Sequence, residues 1–183
     1  NMADCKQSVE LTGSTNCPPP ASGIYEPLYV FNYDEVSFAT VSYGGVTASF
    51  TMSGSATVYK MNTHREGGDY KATLADNDDG GSEYTHRVEG RVLDLNAGTG
   101  SPYPFFKGAI GAKVIVVVLT KAGPLKVLGL EGGLYLKEHE ESATSGAVGH
   151  KFAFVGDKQP NQPVVFLHTD RATSIADLET ART

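Results

Sequence analysis

Apolar and polar residues alternate along most of this chain in short runs, and clusters of glycine, asparagine and aspartate separate one run from the next. In residues 84–89, for example, tyrosine, histidine and valine alternate with threonine, arginine and glutamate. Successive side chains of a strand point to opposite faces of a sheet, so this alternation predicts strands with one buried face. The turn clusters at 44–45, 67–68 and 76–81 are spaced as in hairpins, which predicts an all-β, antiparallel fold.

The predicted strands are short, and one helix interrupts them. Phe105, Phe106, Ala109 and Ile110 recur at helical spacing and predict a single short internal helix within residues 104–112. The strands are expected at 28–31, 36–41, 46–52, 56–61, 69–74, 84–95, 114–119, 125–138, 151–155 and 164–167.

Two of the predicted strands have unusual compositions. Residues 114–119 are a continuous apolar run rich in β-branched side chains, which predicts a strand buried on both faces. Residues 125–138 contain Gly129, Gly132 and Gly133, and glycines inside a strand often mark a bulge or a close approach of two backbones.

The chain divides by composition into three parts. Residues 1–23 are polar, contain three consecutive prolines and predict an N-terminal arm. Residues 24–168 hold the predicted strands and are expected to form one β-sandwich domain, whereas residues 169–183 are polar and predict a flexible tail. The core of the sandwich is expected to contain Val30, Phe38, Val58, Val116, Val118, Leu128, Phe152 and Phe154.

Charge excludes one large class of function. The 183 residues carry 15 Lys and Arg against 21 Asp and Glu, a formal net charge of −6. A protein that binds nucleic acid through phosphate contacts usually has an excess of Lys and Arg. DNA binding through a basic surface is therefore not expected. The longest apolar run, at 114–119, is far too short to span a bilayer, and no membrane partner is expected.

Both cysteines, Cys5 and Cys17, lie before the triple proline. No apolar segment of the secretory type accompanies them, which predicts a reducing compartment, the cytoplasm in which the chain is made. Free thiols are therefore expected rather than a disulfide, although the spacing alone permits either.

Motifs that carry chemistry are missing or incomplete. The cluster that contains Asp76, Asp78 and Asp79 begins like a calcium loop, but Gly80 and Arg87 stand where an EF-hand needs an oxygen donor and a glutamate. An acidic hairpin turn is the simpler interpretation, and ion binding stays the alternative. No catalytic residue, cofactor site or metal site is predicted, and the chain is not expected to be an enzyme.

The charged segment around His139 permits two interpretations. Its neighbours are Lys137, Glu138, Glu140 and Glu141, which would suit an acid–base cluster. A charge run that leaves a strand is more often a solvated loop, and that is the interpretation favoured here.

Several features follow one another along the chain. Cys5 and the segment 56–60 come first, followed by the valine-rich strand 114–119, the segment 127–134, the connector 145–149, the aromatic strand 152–156 and Pro163. In this order the chain resembles tail-tube virion proteins of phages that infect Bacteroidetes. The resemblance implies a β-sandwich subunit that assembles into rings, and rings that stack into a tube for DNA in the virion. It implies as partners other copies of the chain, six per ring being one option, other virion proteins, and DNA only as passing cargo.

Ring assembly needs an assembly seam, meaning the strand edge that joins neighbouring subunits. Edge strands expose unpaired N–H and C=O groups, and a closed ring satisfies them between copies. The expected seam is the strand 125–138, which Gly129, Gly132 and Gly133 would allow to bend, with Asp76, Asp78 and Asp79 projecting toward the next ring or the lumen. The alternatives are an adhesin or carbohydrate-binding module and a small β-fold enzyme.

Overall fold

The computed structural model describes residues 24–44, 47–52, 56–63, 68–76, 81–93, 95, 102–121, 123–143, 148–167 and 169–180, with the backbone alone at 25–26, 38–44, 49 and 51–52. Within these residues there are eleven strands, two α-helices and one turn of 3₁₀-helix at Tyr33–Glu35. The elements are β1 (Ile24–Asn32), β2 (Val36–Gly44), β3 (Thr47–Met52), β4 (Tyr59–Met61), β5 (Asp69–Asp76), β6 (Ser82–Val92), α1 (Pro102–Ala109), β7 (Val114–Thr120), β8 (Leu125–Leu128), β9 (Tyr135–Ser142), β10 (Gly149–Gln159), β11 (Val164–Phe166) and α2 (Arg171–Thr180).

The strands form two sheets, and the predicted mainly antiparallel β fold is confirmed. A seven-stranded sheet has the order β2-β3-β11-β8-β7-β1-β4, and a four-stranded sheet has the order β5-β6-β10-β9. Neighbours pair antiparallel except β11 and β3, which are parallel. The two sheets pack on each other as a sandwich through a common apolar core.

The first core lies between the sheets because alternate residues of each strand face inward. In β6, for example, His86, Val88 and Gly90 are buried while the residues between them are partly exposed. Helix α1 closes one side of this core with Phe106 and Ala109. The core includes Leu28, Val30, Val116, Val118 and Leu128 from the seven-stranded sheet and Val88, Phe152 and Phe154 from the four-stranded sheet.

A second core lies on the other face of the seven-stranded sheet. In a flat sheet four strand spacings of about 4.8 Å would separate β1 from β3, or about 19 Å. The ring centroids of Phe31 in β1 and Phe50 in β3 are nevertheless only 5.6 Å apart, so the sheet curls strongly toward itself. Helix α2 adds Leu178 to this core, with no exposed surface.

Most of the predicted core is confirmed. Val30, Val58, Val116, Val118, Leu128, Phe152 and Phe154 are all buried, although Val58 belongs to the second core rather than the first. The side chain of Phe38 lies outside the described residues. The prediction that 114–119 is buried on both faces is also confirmed, since every residue of β7 is buried and its alternate residues enter different cores.

The predicted internal helix is found as α1. It begins two residues before the expected start at 104 and ends three residues before the expected end at 112.

The prediction that the chain from 169 onward is a flexible tail is wrong for α2. Asp170 caps this helix, because its Oδ1 accepts a hydrogen bond of 2.8 Å from the Thr173 N–H. Leu178 then anchors the helix by burial in the second core.

The predicted strand at 125–138 is wrong in a way that matters for assembly. The segment contains two strands that belong to different sheets: β8 pairs with β7 and β11, and β9 pairs with β10. Residues 129–134 connect the two sheets, with a single bridge between Leu134 and Val114.

Candidate functional site

The three glycines predicted to form the assembly seam lie in the connector 129–134, between the sheets and not on a strand edge. Gly129 and Gly133 have φ angles of +78° and +73°, a backbone conformation that favours glycine. The Gly133 N–H donates to the Gly129 carbonyl at 2.8 Å and closes the turn. These glycines serve a sharp change of direction, so their assignment to a seam strand is corrected.

A buried histidine secures the first part of this connector. The Nδ1 of His86 accepts a hydrogen bond of 3.2 Å from the Gly129 N–H, which leaves the proton on Nε2, 2.9 Å from the Asn161 carbonyl. His86 is only 4% exposed, and this burial lowers its pKa below the usual value. The imidazole is therefore neutral near pH 7 and acts as a structural tie between β6, the connector and the segment before β11.

Polar groups around Glu131 also hold the connector 129–134 in place. The Asn161 side-chain amide donates to both carboxylate oxygens of Glu131, at 2.8 and 2.9 Å. The hydroxyl of Tyr33 donates to the Glu131 carbonyl at 2.6 Å, and the Lys113 ammonium lies 3.6 Å from the centroid of the Tyr33 ring. These hydrogen bonds and the cation–π contact join the two sheets. The groups hold the structure together and do not form a catalytic arrangement.

The four-stranded sheet presents two edges that can carry an assembly function. β5 pairs with β6 over all eight of its residues, and its other side has no strand beside it in the described part of the chain. Residues 72–75 are uncharged, and Leu74 is 53% exposed. An exposed edge with an uncharged stretch is a template for pairing with another strand.

The opposite edge, β9, is strongly charged. Lys137, Glu138, Glu140 and Glu141 are all exposed on this strand. Glu138 accepts two hydrogen bonds from the Arg87 guanidinium, at 2.9 and 2.8 Å, and these bonds lower the pKa of its carboxyl. Charges on an edge restrict which strand can pair with it, so β9 is the more selective of the two edges.

The face of the four-stranded sheet that points away from the seven-stranded sheet is polar and carries both signs of charge. Register places these charges in rows across the sheet, such as Glu89 beside Asp69 and Lys71 beside Arg87. The acidic residues of this face are Asp69, Glu83, Glu89, Glu138, Glu140 and Asp157. The basic residues are Lys71, Arg87, Arg91, Lys151 and Lys137, whose ammonium lies 5.8 Å from the centroid of the Tyr135 ring. The face thus has a small excess of acidic residues, and its basic residues include the neighbouring pairs Lys71–Arg87 and Arg91–Lys151.

The predicted acidic loop is only partly within the described residues. Asp76 ends β5, is exposed, and accepts a hydrogen bond of 2.6 Å from the Ser82 hydroxyl, which is the geometry of an acidic hairpin end. Asp78 and Asp79 lie outside the described residues, as do Cys5 and Cys17. Within the described ranges, no three His, Cys, Asp or Glu side chains are placed to hold a metal ion.

Sequence reasoning missed an apolar cleft beside α1. It has a volume of about 460 Å³ and lies between α1 and the end of β1, with Tyr59 and Phe105 on its wall. The rings of these two residues meet edge-on, with centroids 5.7 Å apart. The apolar spacing in 104–112 pointed to α1, but only the three-dimensional packing places Tyr59 against it.

Comparison of the chain with protein-family models, with curated proteins and with solved structures finds no match. Neither of the two described helices is long and apolar enough to cross a membrane.

Proposed function

We propose that this chain is the subunit of a phage virion ring of the tail-tube type, in which copies join through the two edges of the four-stranded sheet. The observation that carries the proposal is that β5 and β9 lie at opposite edges of one sheet. Head-to-tail pairing of β5 with β9 of the next copy would continue the sheet from subunit to subunit. Such pairing closes into a ring when the rotation between copies closes.

The width of this sheet suits a conduit. Four strands per subunit give 24 strands in a ring of six copies. At about 4.8 Å per strand the wall is about 115 Å around, or about 18 Å in backbone radius, before strand tilt widens it. Barrels of roughly 16 to 18 strands already enclose an aqueous channel, so a ring of six would leave an open lumen.

The covered face of the sheet favours one orientation in the ring. The seven-stranded sheet packs against one face of the four-stranded sheet through the first core, so the bulk of the subunit lies on that side. A ring offers more room on its outside than on its inside, so the side that carries the seven-stranded sheet would face outward. The free polar face would therefore line the lumen.

Charge supports a conduit that does not retain its cargo. The free face carries six acidic and five basic groups, and the whole chain has a net charge of −6. Two carboxylates, Glu89 and Glu138, hydrogen-bond Arg87, the basic residue nearest the middle of this face. Phosphates of passing DNA would meet a weakly repulsive wall.

The second candidate is a carbohydrate-binding module, which the apolar cleft favours. Tyr59 on its wall is 44% exposed, and Tyr103 on α1 is 57% exposed. Exposed aromatic rings can stack on sugar faces. Binding to a glycan array that is lost in Tyr59→Ala, together with a monomeric state at every concentration, would favour this function over the ring.

The proposed function is tested by blocking the β5 edge without disturbing the fold. Leu74→Lys combined with Ala75→Lys places two charges on exposed positions of this edge and is expected to prevent ring formation. The control is Ile110→Lys, which adds one lysine charge at a position that is 72% exposed and lies outside β5; Leu74→Lys alone is its charge-matched counterpart. Assembly is followed by light scattering and negative-stain imaging, and folding by circular dichroism. Rings in the double variant as abundant as in the control would overturn β5 as the joining edge.

A further inference from the structure

Two histidines from neighbouring strands form a direct hydrogen-bonded pair. His139 of β9 and His150 of β10 bring Nε2 and Nδ1 to 3.1 Å, with the ring planes only 3° apart and the centroids 5.3 Å apart. At that centroid distance two parallel rings joined by an N···N hydrogen bond lie side by side in one plane. One proton therefore occupies the space between the two nitrogens.

Helix α1 covers this pair with a single aromatic ring. The Phe106 ring centroid lies 4.4 Å from that of His139 and 5.3 Å from that of His150, at interplanar angles of 24° and 25°. Phe106 is 1% exposed and His150 is 2% exposed, so the ring and the inner imidazole are both shielded from water. The helix thus rests on a flat platform made by two titratable groups.

We propose that the His139–His150 pair is an acid-operated latch, which holds α1 against β9 and β10 when the pair shares one proton and releases it when both rings are imidazolium.

The reason is the geometry of the shared proton. A neutral imidazole has one N–H and one acceptor nitrogen, so one ring can donate to the other. A first extra proton can sit on the outer nitrogen of one ring and leave this hydrogen bond in place. When both rings are imidazolium, two N–H groups point at each other and two positive charges lie side by side under Phe106. The rings must then move apart, and the platform under Phe106 is lost.

The groups around the pair set the direction of the response. Burial, and secondly the neighbouring His150, lower the pKa of His139, whereas Glu141 opposes this shift. On β6 the residue opposite His150 is the uncharged Val92. The charged row formed by Arg91, Lys151 and Glu140 lies on the other face of the sheet, and Lys107 of α1 is exposed. Protonation of His139 is therefore displaced to more acidic pH, and α1 is held at neutral pH.

Release of α1 would change a defined surface. Phe106 and Ala109 leave the first core, and the apolar cleft loses the wall that Phe105 provides. This inference does not depend on ring formation, because every group in it belongs to one subunit.

Hydrogen exchange measured by mass spectrometry at pH 7.5, 6.5 and 5.5, corrected for the intrinsic pH dependence of amide exchange, tests the latch. We expect protection of residues 102–112 to fall below the usual histidine pKa by up to about tenfold per pH unit for each proton that the pair takes up. The β7 peptide, in the same sample, is expected to keep its protection. Equal protection of 102–112 at all three pH values, or an equal loss in β7, would overturn the latch.

His139→Gln separates the latch from general acid sensitivity. The Gln amide can donate to or accept from His150 and does not titrate, so the pH dependence of α1 protection is expected to disappear. If this variant does not fold, His139→Asn supplies the same amide at the same exposed position. A variant that loses α1 protection in acid as steeply as the original protein would overturn the proposal.

Discussion

The side-chain amide of Gln159 holds the peptide groups of two adjacent glycines: its Oε1 accepts from the Gly132 N–H at 3.0 Å and its Nε2 donates to the Gly133 carbonyl at 3.2 Å. Gln159 ends β10 and is 1% exposed, so both hydrogen bonds are shielded from water. The amide thereby fastens the connector between the sheets to the four-stranded sheet. Substitutions at these glycines consequently act on folding.

Valine at either glycine is expected to destabilise the subunit. A side chain at Gly132 would collide with the Gln159 amide, and one at Gly133 would collide with Lys113 in a backbone of φ +73°. At Gly133 the left-handed conformation alone costs a non-glycine residue about 1–2 kcal/mol. Loss of the hydrogen bonds to Gln159 costs about 1–3 kcal/mol more at either position. Urea denaturation of Gly132→Val and Gly133→Val measures the loss.

Gly108→Ala is the matched control for these variants. Gly108 lies in α1, and an added Cβ there meets nothing within 4 Å. Its replacement is expected to leave stability unchanged or raise it by up to about 1 kcal/mol. Valine variants as stable as this control would contradict the role of the connector.

Stability is expected to fall as the pH drops from 7 toward 5. Burial lowers the pKa of His86 and of His139 in the folded chain, so below about 6.5 the unfolded chain binds more protons than the folded one. Each unit by which the folded-state pKa of the buried His86 is lowered corresponds to a loss of about 1.4 kcal/mol. The exposed His139 contributes less, because water screens its charge. Glu138 and Asp170 also have lowered pKa values, but they titrate at more acidic pH, so this window isolates the histidines.

Urea midpoints measured at half-unit steps from pH 7.5 to 5 test this dependence. His86→Gln, which retains one donor and one acceptor, is expected to be less stable at pH 7 and to depend less on pH. A midpoint that does not change, or one that rises toward pH 5, would show that the histidines are not held neutral.

Helix α2 is expected to contribute measurably to stability. Leu178 is fully buried in the second core, and Glu179 accepts hydrogen bonds of 2.6 Å from both Tyr29 and Lys60. Truncating a buried leucine to alanine typically costs about 2–5 kcal/mol. Leu178→Ala should therefore lower the free energy of unfolding by an amount in this range. The control Thr173→Ala alters an exposed side chain at the start of the helix and is expected to lower the free energy of unfolding much less. Equal stability of the two variants would contradict docking of α2.

Sequence patterns predicted the elements that depend on local composition and spacing. The all-apolar strand β7, the break between β1 and β2, and α1 were expected within a few residues of their positions. Alternation says which face of a strand is buried but not which strand lies beside it. The order of the seven-stranded sheet was therefore beyond prediction from the sequence.

The errors have identifiable physical causes. Gly129 and Gly133 were interpreted as bends inside one strand, because sequence alone does not distinguish a bulge from a change of sheet. Helix α2 was missed because its residues are mostly polar, although Asp170 three residues before Thr173 is a capping signal. The pairing of His139 with His150 depends on hairpin register, which alternation does not determine.

Backbone protection is expected to identify the joining edge. If β5 pairs with a neighbouring copy, the amides of Asp69–Asp76 that do not bond to β6 become protected on assembly. Hydrogen exchange of this peptide is compared between dilute monomer and concentrated assembly, with β6 as internal reference. A protein that assembles without added protection in β5 or β9 joins through another surface.

The most direct measurement is negative-stain imaging of the purified protein over a range of concentrations, with mass determined by light scattering on the same samples. A subunit that joins through β5 and β9 is expected to give closed rings with a stain-filled centre, and stacks of rings at the highest concentrations. Particles of 19.4 kDa at every concentration would contradict the proposed ring-forming function.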